Sequence, residues 1–300
     1  MKKTKNRVVI FGEALFDIFP DGRAVLGGAP FNVAWNLKGV GFDPLLISGV
    51  GDDKFGHDIL ESASKWGLNI DGIQIIKDRP TGIVNVVKGQ DGHCFDILPD
   101  AAYDFIDKDL ALSLLDDEQI TILYHGSLAL RSSNSKNALW AIRNIHRPAT
   151  FIDVNLRKPW VNFVDLNLAV TGSNIVKLNI EELENWLHTN FNGRSEQMVE
   201  SALTVIEQYG LDMMIVSMAE EGAYIISEDR VLHTLAPDVS NFKDSVGAGD
   251  AFTSILLASI SEKIEIENAL KLAVEFASSI CSIEGATTTD KDFYRDFKFD

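Results

Sequence analysis

Short blocks of consecutive apolar residues alternate along the chain with longer blocks in which apolar residues return every three or four positions. "RVVIFG", "PLLISGVG", "ITILYHGS", "ATFIDVN", "NIVKLN" and "DMMIVSMA" are of the first kind. Runs this short and this apolar read as strands buried on both faces, and Val8–Phe11 reads as the first of them. "APFNVAWNLKGVG", "KFGHDILESASKWG", "KNALWAIRNIH", "IEELENWL" and "SEQMVESALTVIEQYG" have helical spacing, with glycine stops at Gly41 and Gly67. The alternation predicts an α/β fold built on a mostly parallel sheet.

Two regions break the rhythm. "LFDIFPDGRAVLGG" and "TGIVNVVKGQDGHCFDIL" read as β-hairpins, with turns at Pro20–Gly22 and Gly89–Gly92. Together they predict a small separate sheet, a lid formed by residues 14–27 and 81–100 and inserted in one domain that spans 1–300. No internal repeat or low-complexity linker interrupts the chain.

Charge and composition narrow the partners. The net charge is -17 and the pI about 4.7, which argues against nucleic acid or an anionic membrane surface. Local donors can still hold a phosphate-bearing ligand. Cys94 and Cys281 are the two cysteines; they form no disulfide framework and point to a cytoplasmic protein. The opening "MKKTKNRVVIFGEALFDIF" has the look of a signal peptide, but Glu13 and Asp17 interrupt its apolar part. No uninterrupted apolar run approaches a membrane span.

Four elements carry candidate chemistry. In "DSVGAGDAFTSILLASI", Gly247, Ala248 and Gly249 precede Asp250 at the mouth of an apolar helical run. Small residues let the backbone approach a ligand, and the first amides of a helix suit phosphate. A glycine turn with Asp250 set against the helix dipole reads equally well. No Gly-Lys-Ser/Thr follows, and Phe252 stands where a dinucleotide fingerprint has its third glycine, so neither of those motifs is present. "LGGAPFNVAWNL" puts Gly27 and Gly28 before a helix with Asn32 in its first turns, as a tight turn or as a second ligand edge. In "VKLNIEELENW", Asn179 and Glu182 form either an N-cap with a capping-box glutamate or a pair that suits Mg²⁺ and its waters. Asp153, Asn155 and Arg157 alternate at a strand end in "FIDVNLRKPW", either solvating it or facing a cleft.

In combination these elements resemble the ribokinase-like, or PfkB, family of carbohydrate kinases. "GGAPFNVAWNLKGVG", "GVGDDKFG", the Asn179-x-x-Glu182 element and "DSVGAGDAF" occur in the family's order over nearly the whole chain. The resemblance implies a ribokinase-like fold, with helices flanking the sheet and the β lid over the sugar. It implies that Gly247, Ala248 and Gly249 form an anion hole for the transferring phosphoryl group and that Asp250 is the catalytic base. Asp250, near a helix N-terminus, is expected to stay ionised as a weak base that orients the nucleophile. By the same resemblance Asp17, Gly28 and Asn32 bind the sugar, with Arg157 on the substrate side. Asn179, Ser217, Glu220, Gly222 and Gly249 hold ATP, and Glu182 reaches Mg²⁺ through water. The carbonyls of Asp244 and Val246, with the "EGATTT" loop at 284–289, fall where many members bind a monovalent cation such as K⁺. Ala219 departs from the pattern, since the family usually has glycine there.

"GEALFDIFPDG", "GGAPFNVA", "AAYD" at 101–104 and "DVNLRKPW" look most like bacterial fructokinases. The implied reaction is ATP-dependent phosphorylation of a primary hydroxyl of a free sugar, D-fructose. Kinases for ribose, 2-keto-3-deoxygluconate or an adenosine-like nucleoside are the alternatives, and beyond them a catalytically inactive binding or scaffold member. Asp250, the glycine mouth and Asn179 with Glu182 argue against the last. An ionised Asp17 only accepts hydrogen bonds, which favours a polyhydroxyl ligand over a sugar acid; Arg157 pulls the other way. Phe16, Phe95 and Ile97 are candidates for an apolar lid wall. The edges and apolar face of a small exposed sheet predict a homodimer through the lid.

Overall fold

A run such as Leu45–Gly51, buried at every position, is satisfied only inside a sheet covered on both faces. The computed structural model describes residues 6–89, 92–116, 119–157, 159–161 and 163–299. Its first half contains β1 (Asn6–Phe11), β2 (Leu15–Ile18), β3 (Ala24–Gly27), α1 (Ala29–Gly39), β4 (Leu45–Gly51), α2 (Lys54–Trp66), β5 (Ile73–Ile76), β6 (Gly82–Gly89), β7 (Gly92–Ile97), α3 (Lys108–Ser113), β8 (Gln119–Gly126) and α4 (Ser133–His146). The second half contains β9 (Ala149–Asp153), α5 (Phe163–Val170), β10 (Ile175–Asn179), α6 (Ile180–Leu187), α7 (Ser195–Tyr209), β11 (Met213–Ser217), β12 (Ala223–Ile226), β13 (Val231–Thr234), α8 (Ala248–Ser261) and α9 (Ile266–Ile280).

Among the described residues the main sheet runs β13-β12-β11-β10-β9-β8-β1-β4-β5. Pairing is parallel from β5 to β11, and β12 and β13 add an antiparallel edge. Side chains alternate between two cores, as the strand period requires. Val8 and Ile10 face the core under α1, α2, α8 and α9, while Val9 and Phe11 face the core under α3 to α7. From β1 the chain builds outward to β4 and β5, then returns to β8 on the other side of β1. That reversal makes a crevice at the carboxyl ends of the strands, where open α/β sheets bind ligands. Residues 251 to 259 of α8 are all buried, as a helix apolar on every side must be.

The two predicted hairpins are present and form one sheet of order β3-β2-β6-β7, joined by parallel pairing of β2 with β6. The turn between β6 and β7 includes Gln90 and Asp91, which lie outside the described residues. The "GVGDDKFG" motif ties this lid to the body. Asp53 caps α2 by accepting from the Gly56 amide (2.8 Å), and it also accepts from the Thr81 amide (2.8 Å) and hydroxyl (2.7 Å) at the start of β6. "AAYD" secures the other end: buried Asp104 takes two hydrogen bonds from Arg131, which also donates to the Leu98 carbonyl after β7. No helix among the described residues is long and apolar enough to cross a membrane.

Candidate active site

Gly247 caps α8 at φ 78°, and a Cβ there would fall 2.3 Å from that of Ala286. Only glycine allows the 284–289 loop to pack against this helix end. The first helical bond of α8 is from the Ala251 amide to the Gly247 carbonyl (2.8 Å). The amides of Gly249 and Asp250 precede it and have no earlier turn to bond to. Asp250 accepts from Asn32 Nδ2 at 2.8 Å, joining α1 to α8 across the cleft. The expectation that Asp250 stays fully ionised needs correction. It keeps a solvent-facing edge through the cavity, yet it lies deep in the protein, and burial raises it to about 7. The Asn32 hydrogen bond opposes that rise, the charge of Asp153 adds to it, and Lys177 and Arg157 oppose it. Burial outweighs the helix end here because the whole carboxylate must lose solvation, while a helix terminus supplies only partial charge.

A cavity of about 430 Å³ opens above Asp250, and the lid forms its roof. Leu15 and Asp17 of β2, Val84 of β6, and Phe95 and Ile97 of β7 line it. Phe16 does not: it points to the opposite face and packs on Phe55 of α2, with ring centroids 4.7 Å apart. Gly27 leaves room for Asp17, since a Cβ there would fall 2.5 Å from Asp17 Oδ2. Burial raises Asp17 to about 6 against the pull of Arg157. Gly28, Asn32 and Arg157 line the same cavity, and the Arg157 guanidinium lies 5.9 Å from the centre of the Phe95 ring.

Asp153, Asn155, Asn179 and Glu182 also line this cavity. Asn179 and Glu182 form the capping box: the Glu182 amide donates to Asn179 Oδ1 (2.8 Å) and the Asn179 amide to Glu182 Oε2 (2.9 Å). Glu182 Oε1 accepts from the Leu156 amide at 2.6 Å. Each carboxylate oxygen keeps a second lone pair, so the cap does not exclude a water-mediated contact. Burial raises the Glu182 carboxyl above its ordinary value, held back by the Asn179 amide.

A second cavity of about 550 Å³ continues from the first along Lys177, Ser217, Ala219, Ser245 and Gly249. Its walls include Pro237, Phe252, Val274 and Ala277, with Glu220, Gly222 and Ala248 at its edge. Ala219 stands at φ 48°, in the left-handed region that glycine tolerates best. An L-residue there costs on the order of 1–2 kcal/mol, which accounts for glycine as the usual occupant. Asp244 uses its side chain to order the neighbouring loops, accepting from the Val246 amide (2.9 Å) and the Gly285 amide (3.3 Å). Among the described residues no group of three or more His, Cys, Asp or Glu could hold a metal ion.

Two charged residues of the site escaped the sequence reading. Lys177, inside the apolar block of β10, is 5 % exposed and donates to Asp153 Oδ2 at 2.7 Å. Glu13, two residues past the end of β1, lines the first cavity with Asp17. A charge at the carboxyl end of the first buried strand was the available signal for Glu13. Leu15 and Val84 were also missed as parts of the cavity wall.

The family described as pfkB family carbohydrate kinase matches residues 11–292. A fructokinase of Salmonella typhimurium is 26 % identical over 315 residues, covering 97 % of this chain and 99 % of its own. A fructokinase of Xylella fastidiosa, solved with bound ATP, superposes with a TM-score of 0.81 at 21 % identity, over 96 % of this chain and 95 % of that one. A Vibrio cholerae fructokinase in fructose-, ADP- and calcium-bound form gives a TM-score of 0.80 at 23 % identity, over 97 % of this chain and 98 % of that one.

Proposed function

The chain belongs to the pfkB family of carbohydrate kinases, and on that premise we propose that it transfers the γ-phosphoryl group of ATP to a primary hydroxyl of D-fructose. The observation that carries this is Asp250, hydrogen-bonded to Asn32 at the floor of a polar cavity beside the open end of α8. The sugar oxygen bonds to the γ-phosphorus, the bond to the β–γ bridging oxygen breaks, and ADP leaves. Asp250 accepts the hydroxyl proton. The Gly247–Gly249 mouth offers the amides of Gly249 and Asp250 to the transferring group, whose charge they would stabilise, while the Ala248 amide donates to the Ser245 carbonyl (3.2 Å). Asp17, Gly28, Asn32 and Arg157 hold the sugar. Ser217, Glu220 and Gly222 hold the nucleotide in the second cavity, with Gly249 at its junction with the first and Asn179 in the first. Mg²⁺ on the phosphates would neutralise developing charge, with Glu182 in reach through water. Asp244 and Val246 are the candidate monovalent-cation residues, for K⁺. Exposed Val87 and Leu98 on the lid mark the surface through which we pair two copies; sedimentation at rising concentration measures this. We place the enzyme in the cytoplasm, where ATP is at hand.

Fructose is favoured over a sugar acid because Glu13, Asp17, Asp153, Glu182 and Asp250 line the cavity against Arg157 and Lys177, and Lys177 is already paired with Asp153. The test is kcat/KM for fructose, ribose, adenosine and 2-keto-3-deoxygluconate under identical MgATP. Fructose is expected to lead, and a lead for the sugar acid overturns the substrate assignment. Asp17→Ala is expected to lose about 2–5 kcal/mol of transition-state stabilisation with fructose. A loss confined to the KM for ATP would contradict Asp17 as a sugar ligand. Glu182→Ala is expected to raise the Mg²⁺ requirement more than the sugar KM. Superimposable Mg²⁺ titrations of parent and variant would remove Glu182 from the metal's surroundings.

A further inference from the structure

The glutamate after β1 takes no part in the chemistry above. Glu13 is 6 % exposed, and its Oε2 has no hydrogen-bond partner among the described residues. It lines the first cavity together with Asp17, Gly28 and Asn32. A Cβ on Gly28 would fall 2.6 Å from the Glu13 carbonyl oxygen and 3.3 Å from its Cγ. Position 28 therefore lacks a side chain in part because Glu13 fills that space. On the same wall Asn32 commits its Nδ2 to Asp250 and leaves a buried Oδ1 without a partner.

Two buried acceptors without donors among the described residues thus belong to side chains that line one cavity. An unsatisfied buried acceptor costs free energy unless a ligand brings the donor. A sugar acid brings negative charge instead, next to two carboxylates. A neutral polyhydroxyl ligand brings donors only where its hydroxyls point the right way. Burial pushes the Glu13 carboxyl up, while its own backbone amide and then the charges of Arg157 and Arg131 oppose that rise.

We propose that Glu13 is a further substrate-contacting residue, whose carboxylate accepts a hydrogen bond from one hydroxyl of the acceptor sugar and selects against sugars in which that hydroxyl is missing or inverted. The proposal rests on the sugar-kinase reading of the site. Asp17 and Glu13 then read different hydroxyls of the same ligand. A hydrogen bond to a charged acceptor, left unmade, changes specificity by about 10–100-fold.

Steady-state kinetics of the parent, Glu13→Met and Glu13→Gln test this with fructose, its epimers and its monodeoxy analogues at saturating MgATP. The parent is expected to discriminate against the sugars altered at one particular hydroxyl. Glu13→Met is expected to lose that discrimination by about 10–100-fold, keep its discrimination at the other positions, and leave the KM for ATP unchanged. Glu13→Gln keeps an acceptor oxygen and is expected to fall between. A merely structural glutamate would lower activity evenly across the series, and that even loss, or unchanged selectivity, overturns the proposal. If thermal melts show Glu13→Met unfolded, Glu13→Gln carries the same comparison. A parent inactive on every sugar of this series overturns the fructose reading and this proposal together. An active parent with unaltered selectivity in the variants overturns this proposal alone.

Discussion

Replacing Asp250 by asparagine is expected to lower kcat by about 10²–10⁴-fold and to leave the KM for ATP nearly unchanged. The substitution keeps the shape of the side chain, and a rotated amide oxygen can still accept from Asn32 Nδ2. What it removes is the acceptor for the hydroxyl proton. The pH dependence separates this from a loss of packing. Asp250 titrates at about 7, and only its ionised form accepts a proton. In the parent, kcat/KM for the sugar is therefore expected to be flat above that pH and to fall as pH drops through it. Asp17, raised to about 6, adds a second loss further down. The Asp250→Asn variant is expected to lack the limb near 7 and to keep the one near 6. A parent profile that stays level from pH 8 to pH 5, or a variant with near-parent turnover, refutes the base assignment.

Lys177→Met is expected to cost about 3–5 kcal/mol of stability. Lys177 and Asp153 are 5 % and 3 % exposed and 2.7 Å apart. Removing the cation leaves a buried carboxylate whose other side-chain partner is the Thr253 hydroxyl at 3.1 Å. For a protein whose total stability is about 5–15 kcal/mol, that is a large share. Joining Lys177→Met with Asp153→Leu is expected to recover most of it, because a well-packed apolar pair avoids desolvating two charges. The Thr253 hydroxyl stays satisfied in the double variant by the Gly249 carbonyl at 2.9 Å. Urea unfolding of the single and double variants measures both effects. The single variant carries a kinetic signature too. Lys177 helps hold the pKa of Asp250 down, so losing it moves the acid limb of kcat/KM to higher pH. A single variant within about 0.5 kcal/mol of the parent would show that the pair holds nothing together.

The parts legible from sequence are those decided by neighbouring residues. Pro20–Gly22 announces its turn, and apolar runs such as Leu45–Gly51 announce buried strands, because turn chemistry and periodicity act over a few positions. Phe16 was also within reach. Once Asp17 is assigned to the cavity, strand alternation sends residue 16 to the other face, where Phe55 receives it. Lys177 was not within reach, since its partner Asp153 comes from another strand and nothing local separates a buried, paired lysine from an exposed one. At Asn179 and Glu182 capping box and cavity lining coincide, so the two readings of that spacing were never exclusive. Asp250 was misjudged because its helix position is local, whereas its burial and the charge of Asp153, which raise its pKa, come from parts of the chain distant in sequence.

The hydrogen bond between Asn32 and Asp250 spans 218 positions, and this has a consequence for biosynthesis. The buried face of α1, with Phe31, Val33, Ala34 and Leu37 all at 0 % exposure, closes in part against α8. At translation rates of about 5–20 residues per second, the ribosome needs roughly 11–44 s to pass from one partner of the bond to the other. Throughout that interval the first helix has no final cover, and the nascent chain displays apolar surface that chaperones recognise and other nascent chains can capture. The floor of the first cavity is thus completed only once α8 has been made.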